Sequence, residues 1–423
     1  MITQSNKRAD RLSLVIIPVY CLLMMLFPTV RVLIIGSGES TTSMQYLISA
    51  FPDLISVGVI AWFLGRHFFL NKLFSVNTFD WLFIGYIFIN VCWGAIQGGD
   101  FKLAVYGFRQ TYLPMFFYFI GRCFENRNEL AEKILHRIFF TFVFLGAAGL
   151  TLYFLFPEFD KFMTMRVTGF IGEYVIRRMG SLFYTAVAFG AFMAAGVLYF
   201  FYRQCVMQSW INLLFMSVCW CGLVLSVSRG SLAIAAIGFI WISVWNRNWK
   251  LIFICAAILL IEMIVLIFLL TGSLNLFSWL FSSALDTISL GEHVTRVELW
   301  SRSWNSFTVS PLGYGLGKSG YVAHRFLLHS PVPSSPWSTD CWYLKLAGET
   351  GVTGLLSYLG LLVSFVILQL RKLSFNSRID STFILWFVLF GIQNIMSNVL
   401  DFYLLSSLYW FCFGLAIKKA GKA

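Results

Sequence analysis

Residues 251–270 read LIFICAAILLIEMIVLIFLL, an apolar run with one charged side chain, Glu262, near its middle. The hydrocarbon core of a bilayer takes about 20 helical residues to cross, so this stretch fills one crossing by itself. In water, the same helix would be apolar on every face with nothing to bury against. Working outward, runs of the same kind recur at 12–35, 45–65, 79–97, 103–121, 134–156, 182–202, 208–227 and 230–246 on one side, and at 351–370, 382–399 and 402–418 on the other. The pattern predicts an all-α polytopic membrane protein, a single membrane domain over 1–423 with about 12 transmembrane helices.

Composition agrees. Of 423 residues, 59% are hydrophobic and 12% charged, against about 25% charged in a soluble domain, and the mean hydropathy is +0.78. The formal charge of +12 does not point to nucleic acid, because the basic residues are scattered between apolar spans and form no compact basic domain. The nine cysteines fall mostly inside apolar runs, as Cys219 and Cys221 do, and show neither a disulfide framework nor zinc-type spacing. No small-residue cleavage site follows Lys7, Arg8 and Arg11, so the first span reads as retained.

Most connections are short. The exceptions are a loop over 157–181 and a large, partly helical loop over 272–350, between spans nine and ten. Lysine and arginine mark cytoplasmic segments. With the N-terminus inside, every inside segment carries at least one, from Lys7 and Arg8 to Lys418 and Lys419, while the outside turns at 36–44 and 400–401 carry none. Both termini are therefore expected in the cytoplasm and both long loops outside. Against that bias, Lys161, Arg166, Arg177 and Arg178 crowd the first outside loop, and Arg296, Arg302, Lys318, Arg325 and Lys345 lie in the second. Arg229 sits at a tight outside turn. Such charge either has work to do or pairs with acids and lipid headgroups.

Arg296, Trp300 and Trp304 recur every four residues and so share one helix face. A guanidinium forks onto phosphate oxygens and an indole stacks on a sugar ring, which suits a sugar diphosphate. The same stretch also spaces Glu292 before Arg296 and Glu298 before Arg302 as ordinary helical ion pairs. Gly313, Gly315, Gly317 and Gly320 have the look of a phosphate-cradling loop, but they follow no strand of a βαβ unit, and they read as a tight loop.

The order of these features resembles the O-antigen polymerase and O-antigen ligase superfamily of bacterial surface-polysaccharide enzymes. The matching residues are Ser228-Arg229-Gly230, then Arg296 and Trp300 entering Pro311-Leu312-Gly313-Tyr314-Gly315, then Tyr343-Leu344 and Glu349-Thr350-Gly351-Val352-Thr353-Gly354. The resemblance implies a GT-C-like inverting glycosyltransferase of the bacterial inner membrane, with its active site in the periplasm. It implies a glycan donor linked to undecaprenyl diphosphate, no metal and no other cofactor. By analogy Arg178 and Arg296 hold the diphosphate, with Arg229 assisting. Arg166, Arg177, Arg302, Trp300, His329 and Tyr343 are the further residues expected around the substrate. Where ligases carry a His-Asn pair before Tyr-Leu, this chain has Asp340-Cys341-Trp342-Tyr343-Leu344, a departure that favours a polymerase.

The reaction sets its own demands. The departing diphosphate needs fixed positive charge where water is scarce, and the attacking sugar hydroxyl needs a base. Asp340 stands at the family's key position and is the expected base; it is equally well placed to cap the following helix. His324, His329, Glu173 and Glu298 are the reserves. Expected partners are the lipid-linked oligosaccharide, membrane lipid and, for a polymerase, a chain-length regulator. A flippase or other transporter is the rival reading, since Glu262, Arg109 and Asp53 place charge inside spans. Transporters tend to carry repeated halves, and none is visible here.

Overall fold

The computed structural model describes residues 2–35, 43–66, 68, 75–124, 128–163, 168–171, 174–183, 185–246, 249–271, 286–289, 292–320, 323, 341–372, 390–395 and 397–417. The chain divides into two compact units, one formed by Met1–Ala61 with Arg127–Ala284, the other by Trp62–Asn126 with Leu285–Ala423.

The architecture is helical, and among the described residues six helices are long and apolar enough to cross a membrane: Arg11–Arg31, Thr78–Gly98, Glu129–Leu155, Ala186–Met207, Trp249–Phe268 and Trp342–Ile367. Four shorter apolar helices, Ala50–Gly65, Trp210–Leu225, Arg229–Val244 and Tyr403–Ala416, fall where further spans are expected. Twelve full-length spans are thus not reached among the described residues. The all-helical character expected is met, with two small additions. Each long loop contains a short antiparallel hairpin, Thr168–Ile171 with Tyr174–Arg177 and Asp286–Ser289 with Glu292–Thr295. The runs Tyr174-Val175-Ile176 and Thr287-Ile288 are rich in the β-branched and aromatic residues that favour strands.

In the first unit the helix Ala186–Met207 is the hub, with nearly all its side chains buried. Small residues let its neighbours come close. A Cβ on Gly190 would lie 2.6 Å from Ser226 Oγ, and one on Gly196 would lie 2.6 Å from Cys219 Sγ. Gly190 is therefore a helix-packing position. The helix ends at Gln208, whose φ of 43° reverses the chain, and Ser209 caps Trp210–Leu225 by accepting the Ile211 N–H. Across the unit, the Tyr20 hydroxyl meets Ser56 Oγ at 3.1 Å, and Trp220 donates to the Leu259 carbonyl at 2.8 Å.

In the second unit Asn77 and Asp80 form a capping box at the start of Thr78–Gly98. The expected span 103–121 is helical throughout but not uniform. The helix Phe101–Gly107 passes through a π turn, Phe108–Tyr112, and a 3₁₀ turn, Leu113–Phe116, before Phe117–Arg122. Pro114 lacks an N–H to continue the ladder, and the Leu113 N–H bonds back to the Phe108 carbonyl instead.

Arg122, just past the expected span 103–121, is fully buried. Its guanidinium grips Asp80 at 3.0 and 3.3 Å and also donates to the carbonyls of Ser75 and Ile417. Tyr118 donates to the same carboxylate. Gly121 and Gly414 bring Phe117–Arg122 and Tyr403–Ala416 into backbone contact. A charge pair this dry persists only because every donor has an acceptor.

Candidate active site

The first unit gathers two of the expected stretches. The turn Ser226-Val227-Ser228 precedes the helix Arg229–Asn246. Val227 has a φ of 50°, rare for a β-branched residue and a sign of a tightly determined backbone. The turn is held from within: Ser226 Oγ donates to the Leu223 carbonyl at 2.7 Å and accepts the Ser228 N–H at 3.2 Å, and Ser228 and Ser231 hydroxyls lie 2.8 Å apart.

The segment Arg177–Gly180 lies along this turn. The Met179 N–H donates to the Leu225 carbonyl at 2.9 Å, and Arg178 Nε donates to the Ser226 carbonyl at 3.1 Å. Two stretches 48 residues apart in sequence are thus one surface carrying the half-buried Arg178 and Arg229.

Arg177, next along, is turned to a different task. Its guanidinium lies 3.9 Å from the Tyr153 ring centroid and 3.7 Å from the buried Asp160 carboxylate, and it donates to the carbonyls of Pro157 and Tyr153. These contacts fasten the hairpin of the loop 157–181 to the helix Asn128–Leu155.

The second unit holds the rest. Arg296 opens the helix Arg296–Val309. On its face, Trp300 is half-buried with an indole N–H that has no hydrogen-bond partner, and Trp304 is exposed and packed on Phe307 at 5.4 Å. Arg302 pairs with Glu298 at 2.5 Å on the surface, the helical spacing anticipated for that pair. Tyr343 donates its hydroxyl to the Gly391 carbonyl at 2.9 Å and packs against Trp342 and Tyr358. Asp340, Arg166, His324, His329 and Glu173 lie outside the described residues, as do the side chains of Arg296 and Glu292.

The glycine stretch is a wedge in a broken helix. The helix Trp342–Lys372 is interrupted at Gly351, where φ is 70° and ψ is −159°. The break removes helical partners from the carbonyls before it and the N–H groups after it. The glycine loop supplies them: the N–H groups of Tyr314 and Gly315 donate to the carbonyls of Gly348 and Glu349 at 2.8 and 3.0 Å, and the Val352 N–H donates to Pro311 at 2.8 Å. On its other side, the Leu316 N–H donates to the Gly94 carbonyl at 3.0 Å. A Cβ on Gly313 would stand 2.7 Å from the Glu349 carbonyl oxygen, and one on Gly315 would strike the Gly98 backbone. Since the N–H groups from Gly313 to Lys318 all have protein acceptors, they are not free to cradle a phosphate.

Beneath the loop lies a cluster that sequence reasoning missed. Lys345, fully buried, donates to Asp401 at 2.5 Å and to the Thr111 hydroxyl at 3.1 Å. Glu349, one turn on and also fully buried, accepts the Gly317 N–H at 3.2 Å. The signal that could have found it is two opposite charges four residues apart at the head of an apolar run. Charge there is expensive and must find partners. In the loop above, partial burial raises the Tyr314 phenol from its ordinary pKa of 10.0, so it stays a donor, and it donates to the Ser306 carbonyl at 2.9 Å.

Among the described residues no cluster of His, Cys, Asp and Glu has the make-up of a metal site. Residues 213–359 match the family model described as O-antigen ligase. The match takes in the Ser228–Ser231 turn, the glycine wedge and Glu349. No curated protein matches the chain.

Proposed function

We propose that this chain is a surface-polysaccharide polymerase, because residues 213–359 match the family model described as O-antigen ligase, and members of that family are membrane polysaccharide polymerases and ligases. Its donor is a glycan on undecaprenyl diphosphate, and its acceptor is a sugar hydroxyl of a second lipid-linked repeat unit. The observation that carries the reading is the family match, read together with the joined Arg178 and Ser228-Arg229 surface. That surface offers cationic groups, Arg178 just after a strand and Arg229 at the start of a helix, where a charged headgroup can reach them.

In the proposed reaction the acceptor hydroxyl oxygen bonds to the donor's anomeric carbon from the face opposite the diphosphate. The bond from that carbon to the phosphate oxygen breaks, which inverts the configuration. The hydroxyl proton passes to the Asp340 carboxylate, and the undecaprenyl diphosphate leaves with the bonding electrons. Arg178 and Arg296 hold the departing diphosphate and stabilise the charge that grows on it. Arg229 assists by its charge, and Trp300 offers an apolar face to a sugar ring. Arg166, Arg302, His329 and Tyr343 complete the substrate surroundings. Arg177, whose guanidinium is taken up by Tyr153, Pro157 and Asp160, serves by holding Arg178 in place. The periplasmic face of the inner membrane, with both chain ends in the cytoplasm, is the proposed setting. A chain-length regulator is the proposed protein partner.

Asp340-Cys341 at the position where ligases carry His-Asn supports polymerase over ligase. The second reading, transfer of the glycan to lipid A core, is favoured by the description of the matching family model itself. Complementation of a deletion strain with Arg178→Ala and Arg296→Ala tests the diphosphate assignment. Polymer is expected to be lost with protein levels unchanged, and normal polymer from both variants would sink it.

A further inference from the structure

We propose that Glu349 is a positioning residue. It holds the loop 311–320 in the break at Gly351, and so fixes the helix that opens at Arg296 relative to the chain that enters at Cys341. As a catalytic claim this rests on the transfer reaction above; as a claim about the loop it does not.

The backbone joins at Gly348, Glu349 and Val352 seat the near half of the loop. Glu349 adds the side-chain bond that reaches further along, from its carboxylate to the Gly317 N–H. Gly320 is seated by a different contact, since a Cβ there would stand 2.9 to 3.1 Å from the Lys345 methylenes. At its start the loop is tied to the Arg296–Val309 helix by the Tyr314 hydroxyl on the Ser306 carbonyl. A shift of the Gly317 corner therefore moves the helix carrying Arg296 against the helix that follows Asp340 in sequence.

The two buried carboxylates divide their labour. Asp401 is the ion-pair partner of Lys345. Glu349 accepts the Gly317 N–H through Oε1, and its Oε2 is fully buried. Burying a carboxylate is costly; Lys345 also acts on the Glu349 charge, but its ion pair is with Asp401, and what Glu349 adds to the loop is an acceptor. The neutral isostere glutamine keeps that acceptor, whereas alanine removes it and leaves the Gly317 N–H bare.

The test uses the full-length chain in nanodiscs, with Lys318→Cys as a reporter on the loop and the chain without it as the background for native thiols. A membrane-impermeant maleimide reads loop anchoring. Transfer is read with the host's own polyprenyl-diphosphate-linked repeat, extracted from a strain deleted for this chain. For Glu349→Ala the account expects alkylation to quicken roughly tenfold and kcat to fall roughly tenfold, with the donor KM little changed. Glu349→Gln is expected to match the parent in both.

The proposal is overturned if Glu349→Ala matches the parent, if Glu349→Gln fails as badly as alanine, or if both variants fail to accumulate folded. It also falls if alkylation responds while turnover does not. An inactive parent would count against the transfer reaction, and alkylation alone would then decide whether Glu349 anchors the loop.

Discussion

Two charged regions, one in each unit, meet the problem of charge beside a membrane in opposite ways. In the first, Arg178 and Arg229 sit half-buried at element ends, on a turn whose polar groups satisfy one another and leave the backbone to bind Arg178. In the second, Lys345, Asp401 and Glu349 are buried behind the glycine wedge, and Arg122 and Asp80 are buried completely. Charge at a half-exposed edge can meet a ligand. Charge sealed among hydrogen bonds organises the chain around it and has nothing left to offer a substrate. The contrast assigns chemistry to the first kind of site and architecture to the second, and it can be broken.

The largest effect is expected where two backbones touch. Gly315→Ala would drive a Cβ into the Gly98 backbone at a φ of 105°, and no folded protein should accumulate in the membrane fraction. Normal accumulation would show that the wedge is not seated as described. Next comes Asp80→Ala. Leaving Arg122 buried without its carboxylate costs about 3–5 kcal/mol, read as a large loss of thermal stability in detergent. Arg178→Ala should do the converse, lowering polymer formation about a hundredfold while its melting temperature stays near the parent's. If it melted early instead, the line between the two kinds of site would vanish. The smallest effect is expected from Arg302→Ala, because its partner Glu298 is on the surface and such pairs contribute at most about 1 kcal/mol. A modest loss of activity without loss of stability is what its proposed place at the edge of the substrate requires, and unchanged activity would remove it from there.

Much of the helical layout is legible from hydropathy alone, since a run such as 251–270 has no soluble alternative. The expected start of the tenth span at 351 coincides with the Gly351 break, and the helix reaches back to Trp342 because the glycine wedge satisfies its interrupted backbone. Pro114 hinted at the irregular fourth span, but the π turn before it depends on which carbonyl Leu113 finds, and no local pattern dictates that. Both hairpins were hidden because four-residue strands carry almost no periodicity.

The site was legible in part. The approach of Arg178 to the Ser226 turn was foreshadowed only by the expectation that both face the same side of the membrane. The pairing of Lys345 with Asp401 joins residues 56 apart, and one sequence shows that Lys345 needs a partner without showing which. Arg177 and Arg178 are adjacent and chemically alike. Their different surroundings arise from Asp160 and Tyr153 on one side and Ser226 on the other.

Lipopolysaccharide profiling of a strain deleted for this chain, complemented by the parent and by Asp340→Ala, tests the central claim most directly. The account predicts that the ladder collapses to core carrying a single repeat unit, that the parent restores it and that Asp340→Ala does not. Bare core, with long glycan accumulating on the carrier lipid, would contradict it and make the chain a ligase.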